Sequence, residues 1–240
     1  MIKLSGNIDI LALSPLARGV HLTVSSAAKA QGIGLTEKGR MNRSFVRWAA
    51  ENFNWPGFQA DHLLKGRRVL NEADMLPLQA VRDSCTFLKL LHTDRQRLLA
   101  SERGREYLKS PQKFFDRLAT HYLYAQIERR AQARAYGGEA WMRSWAPVLH
   151  AIDVMGEAGC TAVQILQSLH PHLAPLSATQ VTLQAWSIKT ELKYGTLRPL
   201  CWLGLLHEDR EGLSPVQDGI YHKTPLWFAC LRLHEKSEAH

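Results

Sequence analysis

Long apolar runs are missing from these 240 residues. No stretch approaches the roughly 18 to 20 residues that a membrane-spanning helix needs, so no membrane partner is expected. Cysteine is scarce. Cys85, Cys160, Cys201 and Cys230 lie far apart and form no CxxC pair, which argues against a zinc site or a disulfide framework and for buried free thiols in a reducing cytoplasm. HExxH is absent, and no Asp-His-Ser spacing stands out among the eleven histidines. No catalytic residue, metal ligand or cofactor site is therefore assigned, and the chain is expected not to be an enzyme. Aromatic residues make up 8% and do not interleave with basic ones, as a platform for single-stranded nucleic acid would require. The N-terminus, MIKLSGNIDILALSPLARGV, has its apolar patch interrupted by Asp9 and reads as mature sequence, not as a secretion signal.

What is present is a composition able to bury a core, with 45% hydrophobic and 22% charged residues. The net charge of +8 is uneven: residues 1–134 carry 22 Lys and Arg against 12 Asp and Glu, and the rest carry 8 against 10. A basic N-terminal half points to an anionic partner, most often nucleic acid.

The chain also repeats itself. Leu88–Gly104 and Leu203–Gly219 share eight identities over 17 ungapped positions, centred on Leu-Leu-His-x-Asp-Arg. Ser110-Pro111 with Phe114-Phe115 echoes Thr224-Pro225 with Trp227-Phe228. Upstream, Phe45, Val46, Ala49 and Phe53 lie on one helical face, as do Ile165, Leu166, Leu169 and Leu173. In the first copy a short helix from Ser25, a brief extended piece in GIGLTEKG and a second helix over 43–52 are expected. A third helix from Leu76-Pro77 has Leu78, Val81, Cys85 and Leu88 inward. A hairpin follows, 90–93 and 97–100 around a charged turn, and Ser101 caps the next helix. The second copy predicts helices over 145–157, 161–170, 179–192 and 197–203, with a break at Gly195. Its hairpin would run from 205–207 to Gly212-Leu213, and Ser214-Pro215 would start a helix.

The fold class read from this order is mainly α: two tandem winged-helix modules, each a helix-turn-helix plus a β-hairpin wing. The expected boundaries are 1–110 for a basic first module, 111–138 for a bridging helix ended by Gly137-Gly138, and 139–240 for a slightly acidic second module.

The first copy also resembles the C-terminal region of a family of bacterial proteins encoded on plasmids and near insertion sequences. The matching positions are Leu35, Thr36 and Gly39, then Leu98, Leu99, Ser101, Gly104, Arg105, Leu108 and Pro111. The resemblance covers about residues 33–115. It implies a winged-helix fold and a mobile-element neighbourhood, and no catalytic residue.

Candidate nucleic-acid contacts follow from charge and position. On the outer face of the third helix, Gln79, Arg82 and Lys89 are types that hydrogen-bond base edges, although Asp83 on that face would repel phosphate. The wing and the helix after it supply Arg95, Arg97, Arg103 and Arg105. Arg40, Arg43 and Arg47 surround the start of the second helix, and Lys65, Arg67 and Arg68 lie in a long loop. Guanidinium groups fork onto phosphate oxygens, which positions a protein without reading sequence. The second wing, EDREG, is acidic and suits a dimer or another protein. His92 and His207 recur at one repeat position, as expected of a shared structural role. The expected function is duplex DNA binding through the first module, in a regulatory or mobile-element setting. The alternative is a non-enzymatic subunit that uses both modules to contact other proteins.

Overall fold

The computed structural model describes residues 2–29, 31–65, 69–133, 145–155, 157–171, 183–210 and 219–231. It is mostly helical, with two small antiparallel sheets. The chain divides into two compact units, an N-terminal one of Asn7–Tyr122 and a C-terminal one of Leu123–His240 together with Met1–Gly6.

Helix starts in the N-terminal unit follow small polar caps. Asp9 accepts the backbone N–H groups of Leu11 and Ala12 to open α1 (Ile10–Leu13). Ser14 accepts from Ala17 to open α2 (Pro15–Ala27), with proline at the first helical position. This corrects the expected first helix. It runs from Pro15 and ends where it was expected to begin, because Ser14-Pro15 is itself a start signal. Its inner face buries Leu16, Val20 and Val24.

After β1 (Ile33–Gly34), Asn42 caps α3 (Arg43–Asn52), which buries Phe45, Val46, Ala49 and Ala50. A short α4 (Ala60–Leu63) and a 3-10 turn (Glu72–Asp74) lead to α5 (Leu76–Phe87). Leu78, Val81, Cys85 and Leu88 are fully buried, as their spacing predicts. Burial also pushes the Cys85 thiol above its ordinary pKa. The hairpin is β2 (Leu91–Asp94) and β3 (Arg97–Ala100), and β3 takes the centre of a β1-β3-β2 sheet. Ser101 caps α6 (Glu102–Lys109), and α7 (Gln112–Ala133) follows. Helix α2 packs on α5, α6 and β3, and this is the core.

The C-terminal unit repeats the order. It has α8 (Ala146–Val154), β4 (Cys160–Thr161) and α9 (Ala162–Leu169), then α10 (Leu183–Glu191), a π-helical segment (Leu192–Leu197) and α11 (Arg198–Leu203). Strands β5 (Leu206–Asp209) and β6 (Ile220–Lys223) complete a β4-β6-β5 sheet, and α12 (Pro225–Cys230) follows. The chain's first residues join this unit. Lys3 and Ser5 donate their backbone N–H groups to the carbonyls of Cys230 and Ala229, and Ile2 is buried.

Gly195 does not break the helix. Pro199 lacks an N–H, and its ring would meet the carbonyl of Gly195 in an α-helix. The backbone widens to a π turn instead, with Arg198 donating to the Lys193 carbonyl, and the helix continues.

The two units match in detail where β-pairing and caps define position. His92 pairs with Leu99 and His207 with His222. The N–H of Leu90 bonds the Cys85 carbonyl, and that of Leu205 bonds the Leu200 carbonyl. Lys89 and Gly204, the residues just before, both take positive φ, 57° and 85°. Ser101 Oγ donates to the Lys89 carbonyl and Thr224 Oγ1 to that of Gly204. Thr224 therefore stands where Ser101 does, which replaces the expected pairing with Ser110. Among the described residues the strand that returns beside β5 is β6, and ten residues separate the two where two separate β2 from β3; Gly212-Leu213, where the return was expected, lies outside the described residues. Gly137-Gly138 and Ser214-Pro215, expected to end and start helices, lie outside the described residues.

His21 of α2 carries a pH prediction. Its Nδ1 is buried with no hydrogen-bond partner among the described residues, and burial lowers its pKa below 6.5. The folded state then binds fewer protons than the unfolded chain between that lowered value and about 6.5. Stability from this group is full above about pH 6.5 and falls as the pH drops through that window. Thermal unfolding should show a smaller loss between pH 7.5 and 5.5 in His21→Leu than in the parent. Equal losses would mean that protonated His21 is accommodated.

Candidate nucleic-acid interface

The hairpin of the N-terminal unit turns on two residues, Arg95 and Gln96, with Arg95 at a φ of 52°. A side chain in this left-handed region costs about 1 kcal/mol or more relative to glycine. The turn therefore holds a guanidinium at its tip at the expense of backbone strain. Lys89, Arg95 and Arg97 are all exposed on the segment leading from α5 through the hairpin. Lys89 and Arg95 have no side-chain partner among the described residues, whereas Arg97 donates to the Gln31 carbonyl at 2.8 Å.

The other candidates divide by what they touch. Arg40, Lys65, Gln79 and Arg105 are exposed. Arg43 donates to Asn71 Oδ1, Arg47 pairs with Glu51 one helical turn on, and Arg103 lies 5.6 Å from the ring centre of Phe114. Arg67 and Arg68 fall outside the described residues.

Arg82, expected on the outer face of α5, turns inward. Its Nη1 lies 3.0 Å from Glu72 Oε1, and its Nη2 donates to the Gly39 carbonyl at 2.7 Å. Gln79, Asp83, Thr86 and Phe87 remain exposed on α5. The α5 surface is thus left without its arginine, while Lys89, Arg95 and Arg97 stay exposed on the hairpin segment and Arg40, Arg43, Arg47, Lys65 and Arg105 stay exposed elsewhere on the unit.

Strand pairing brings the hairpin tip to residues distant in sequence. Gly34 of β1 pairs with Arg97 of β3. Beside this pair is an open cleft of about 1080 Å³, lined by the end of α2 (Ser26, Lys29), β1, the start of α3 (Asn42, Ser44, Phe45, Trp48) and the turn Asp94–Arg97. Lys29 and Trp48 were not candidates from the sequence. No linear motif joins positions 29, 48 and 95; only the β1–β3 pairing does.

The corresponding hairpin of the C-terminal unit is closed on itself. Arg210 follows β5 as Arg95 follows β2, but its guanidinium bonds Glu208, which also accepts the Tyr221 hydroxyl at 3.0 Å. On the third helix of that unit the Arg198 guanidinium lies 4.2 Å from the ring centre of Tyr194 and 6.0 Å from that of Trp202. His92 and His207 are both exposed on their strands. Among the described residues no three metal-ligating side chains gather, and no helix is long and apolar enough to cross a membrane.

Residues 12–113 match the Y4jL N-terminal domain and residues 135–225 the y4jL C-terminal domain. The chain is 42% identical over 193 residues to "Uncharacterized protein y4jL" of Sinorhizobium fredii (strain NBRC 101917 / NGR234), covering 80% of this chain and 87% of that protein. No solved structure matches it. The similarity thus reaches well beyond residues 33–115 and takes in both repeats, and with that identity and coverage the chain belongs to the y4jL family of bacterial proteins.

Proposed function

We propose that both units are winged-helix modules and that the N-terminal one binds duplex DNA by its phosphates. The order helix, strand, helix, helix, hairpin, with the returning strand central in the sheet, supports the fold reading. The observation that carries the binding reading is the exposure of Lys89 and Arg95, without side-chain partners among the described residues, on the strained hairpin segment. Phosphate contacts position a protein without reading bases. The inward turn of Arg82 and the exposed Asp83 favour such contacts over base reading by α5. A cytoplasmic, regulatory role in a plasmid or mobile-element setting belongs to the same proposal.

A second reading has support in the C-terminal unit. Its hairpin arginine is neutralised by Glu208, while Val154, Ile220 and Phe228 are exposed. This unit suits a second copy or another protein better than a duplex.

Fluorescence anisotropy of a labelled random-sequence 20-bp duplex, at 50 to 200 mM salt, tests the DNA reading. The expected log–log slope is about −3.5 to −5.5, from about four to six phosphate contacts. Lys89→Glu/Arg95→Glu should bind at least about tenfold more weakly, with the slope reduced by about 2. Absence of binding by the parent at low salt would remove the DNA reading and leave the protein-contact one.

A further inference from the structure

The cleft beside the hairpin turn has a chemistry that phosphate binding by a wing does not need. Three cations line it, Lys29, Arg95 and Arg97, against one carboxylate, Asp94. Lys29 and Arg95 have no side-chain partner among the described residues. Its wall includes Trp48, a half-buried indole held by aromatic neighbours, with ring centres 5.4 Å from Phe45 and 6.2 Å from Phe53. Polar edges come from Gln31, Asn42, Ser44 and Gln96.

Gly34 and Asn42 pack closely in the lining of the cleft. Asn42 Oδ1 accepts from the Phe45 N–H and the Ser44 hydroxyl, which fixes the amide at the start of α3. Gly34 lies under that amide, where a Cβ would run into Nδ2. The first turn of α3 adds the partial positive charge of a helix start to the same space. A lone phosphate does not need a cleft of about 1080 Å³ with an indole in its wall. That volume is the size of a small-molecule site.

We infer that this cleft binds a nucleoside 5′-phosphate, with the base against Trp48 and the phosphate among Lys29, Arg95 and Arg97. Stacking on an indole tolerates any base, because every base has a π face. The forked guanidinium groups suit a phosphate dianion. The same chemistry is offered by a free mononucleotide and by a phosphorylated nucleotide at the end of a strand. The inference goes beyond the duplex reading and does not depend on it.

The test is a titration of the full chain with adenosine 5′-monophosphate, followed by the indole N–H resonance of Trp48 in ¹H–¹⁵N NMR. Trp48→Phe identifies that resonance among the seven tryptophans. A saturable shift is expected, with adenosine and inorganic phosphate each at least about tenfold weaker. Lys29→Glu should weaken adenosine 5′-monophosphate by at least about tenfold while the other indole resonances stay in place, which shows the fold intact. A 5′-phosphorylated single-stranded 12-mer distinguishes the sources: saturation at lower concentration than the free nucleotide assigns a strand end, and saturation only at higher concentration assigns a free ligand. No saturable shift, or the same shift in Lys29→Glu, overturns the inference. Nucleotide binding without duplex binding removes only the duplex reading, and the converse removes only the cleft.

Discussion

Replacing Arg82 with leucine is expected to lower the unfolding free energy by about 3 kcal/mol. The Glu72 side chain is 7% exposed and Arg82 is its ion-pair partner. Glu72 Oε2 accepts the Met41 backbone N–H at 2.6 Å and Arg82 Nη1 at 3.1 Å. Removing the guanidinium leaves a buried carboxylate with a single backbone donor and orphans the Gly39 carbonyl. Breaking such a pair from one side costs about 3 to 5 kcal/mol, and the partial exposure of Arg82 puts this case at the low end. Equilibrium denaturation of Arg82→Leu checks the value. Glu72→Met/Arg82→Leu should recover most of the loss, because both charges then go. A loss below about 1 kcal/mol would mean that solvent screens the pair as it does exposed ones. Loss of DNA binding in an Arg82 variant therefore has to be separated from loss of fold.

A methyl group at Gly104 should cost about 2 to 3 kcal/mol, the cost of overpacking a site that cannot yield. Gly104 lies in the first turn of α6, and a Cβ there would overlap the Leu90 carbonyl oxygen and come within 3.3 Å of Val24 Cγ1. The carbonyl has no freedom to retreat, since it accepts the Ser101 N–H at 2.9 Å. Gly219→Ala is the comparison. There a Cβ would meet Glu208 Cγ and Oε1 at 2.6 and 2.8 Å, side-chain atoms that give way by shifting the bonds to Arg210 and Tyr221, not by moving the backbone, and the Asp209 carbonyl oxygen at 3.0 Å. Its cost should be nearer 1 kcal/mol. Denaturant midpoints of the two alanine variants decide this, and equal costs would show that the α6 start can shift.

Those two glycines coincide in the ungapped repeat but not in the fold. The identity that made the repeat visible, Leu-Leu-His-x-Asp-Arg, spans one residue after the third helix, the first hairpin strand and the residue that follows it. Local constraints dictate that stretch: a positive-φ residue after the helix, then a buried leucine (Leu90 or Leu205), then a short strand. Beyond the turn the second copy has eight more residues between its strands. Side-chain periodicity on a four-residue strand is too short to show where the chain resumes pairing. The caps, not the glycines, keep the register: Ser101 and Thr224 each bond the backbone where the third helix ends.

The candidate site was legible in part for a similar reason. Charge composition located the cations in the N-terminal half, and the turn residues located the hairpin. Nothing in the spacing of Arg82 distinguishes an outward arginine from one turned to a buried glutamate ten residues upstream. Likewise Lys29 and Trp48 carry no motif.

By itself the sequence determined the mainly helical character, the inner stripe of α5, the cap at Ser101, the hairpin over 91–100 and the duplicated order, because caps, periodicity and turn chemistry act over a few residues. Tertiary structure alone decided which cations remain exposed, that Gly195 sits in a π turn, and that Lys3 and Ser5 bond the end of α12. It also alone formed the cleft of Lys29, Trp48 and Arg95, because these depend on contacts between segments far apart in the chain.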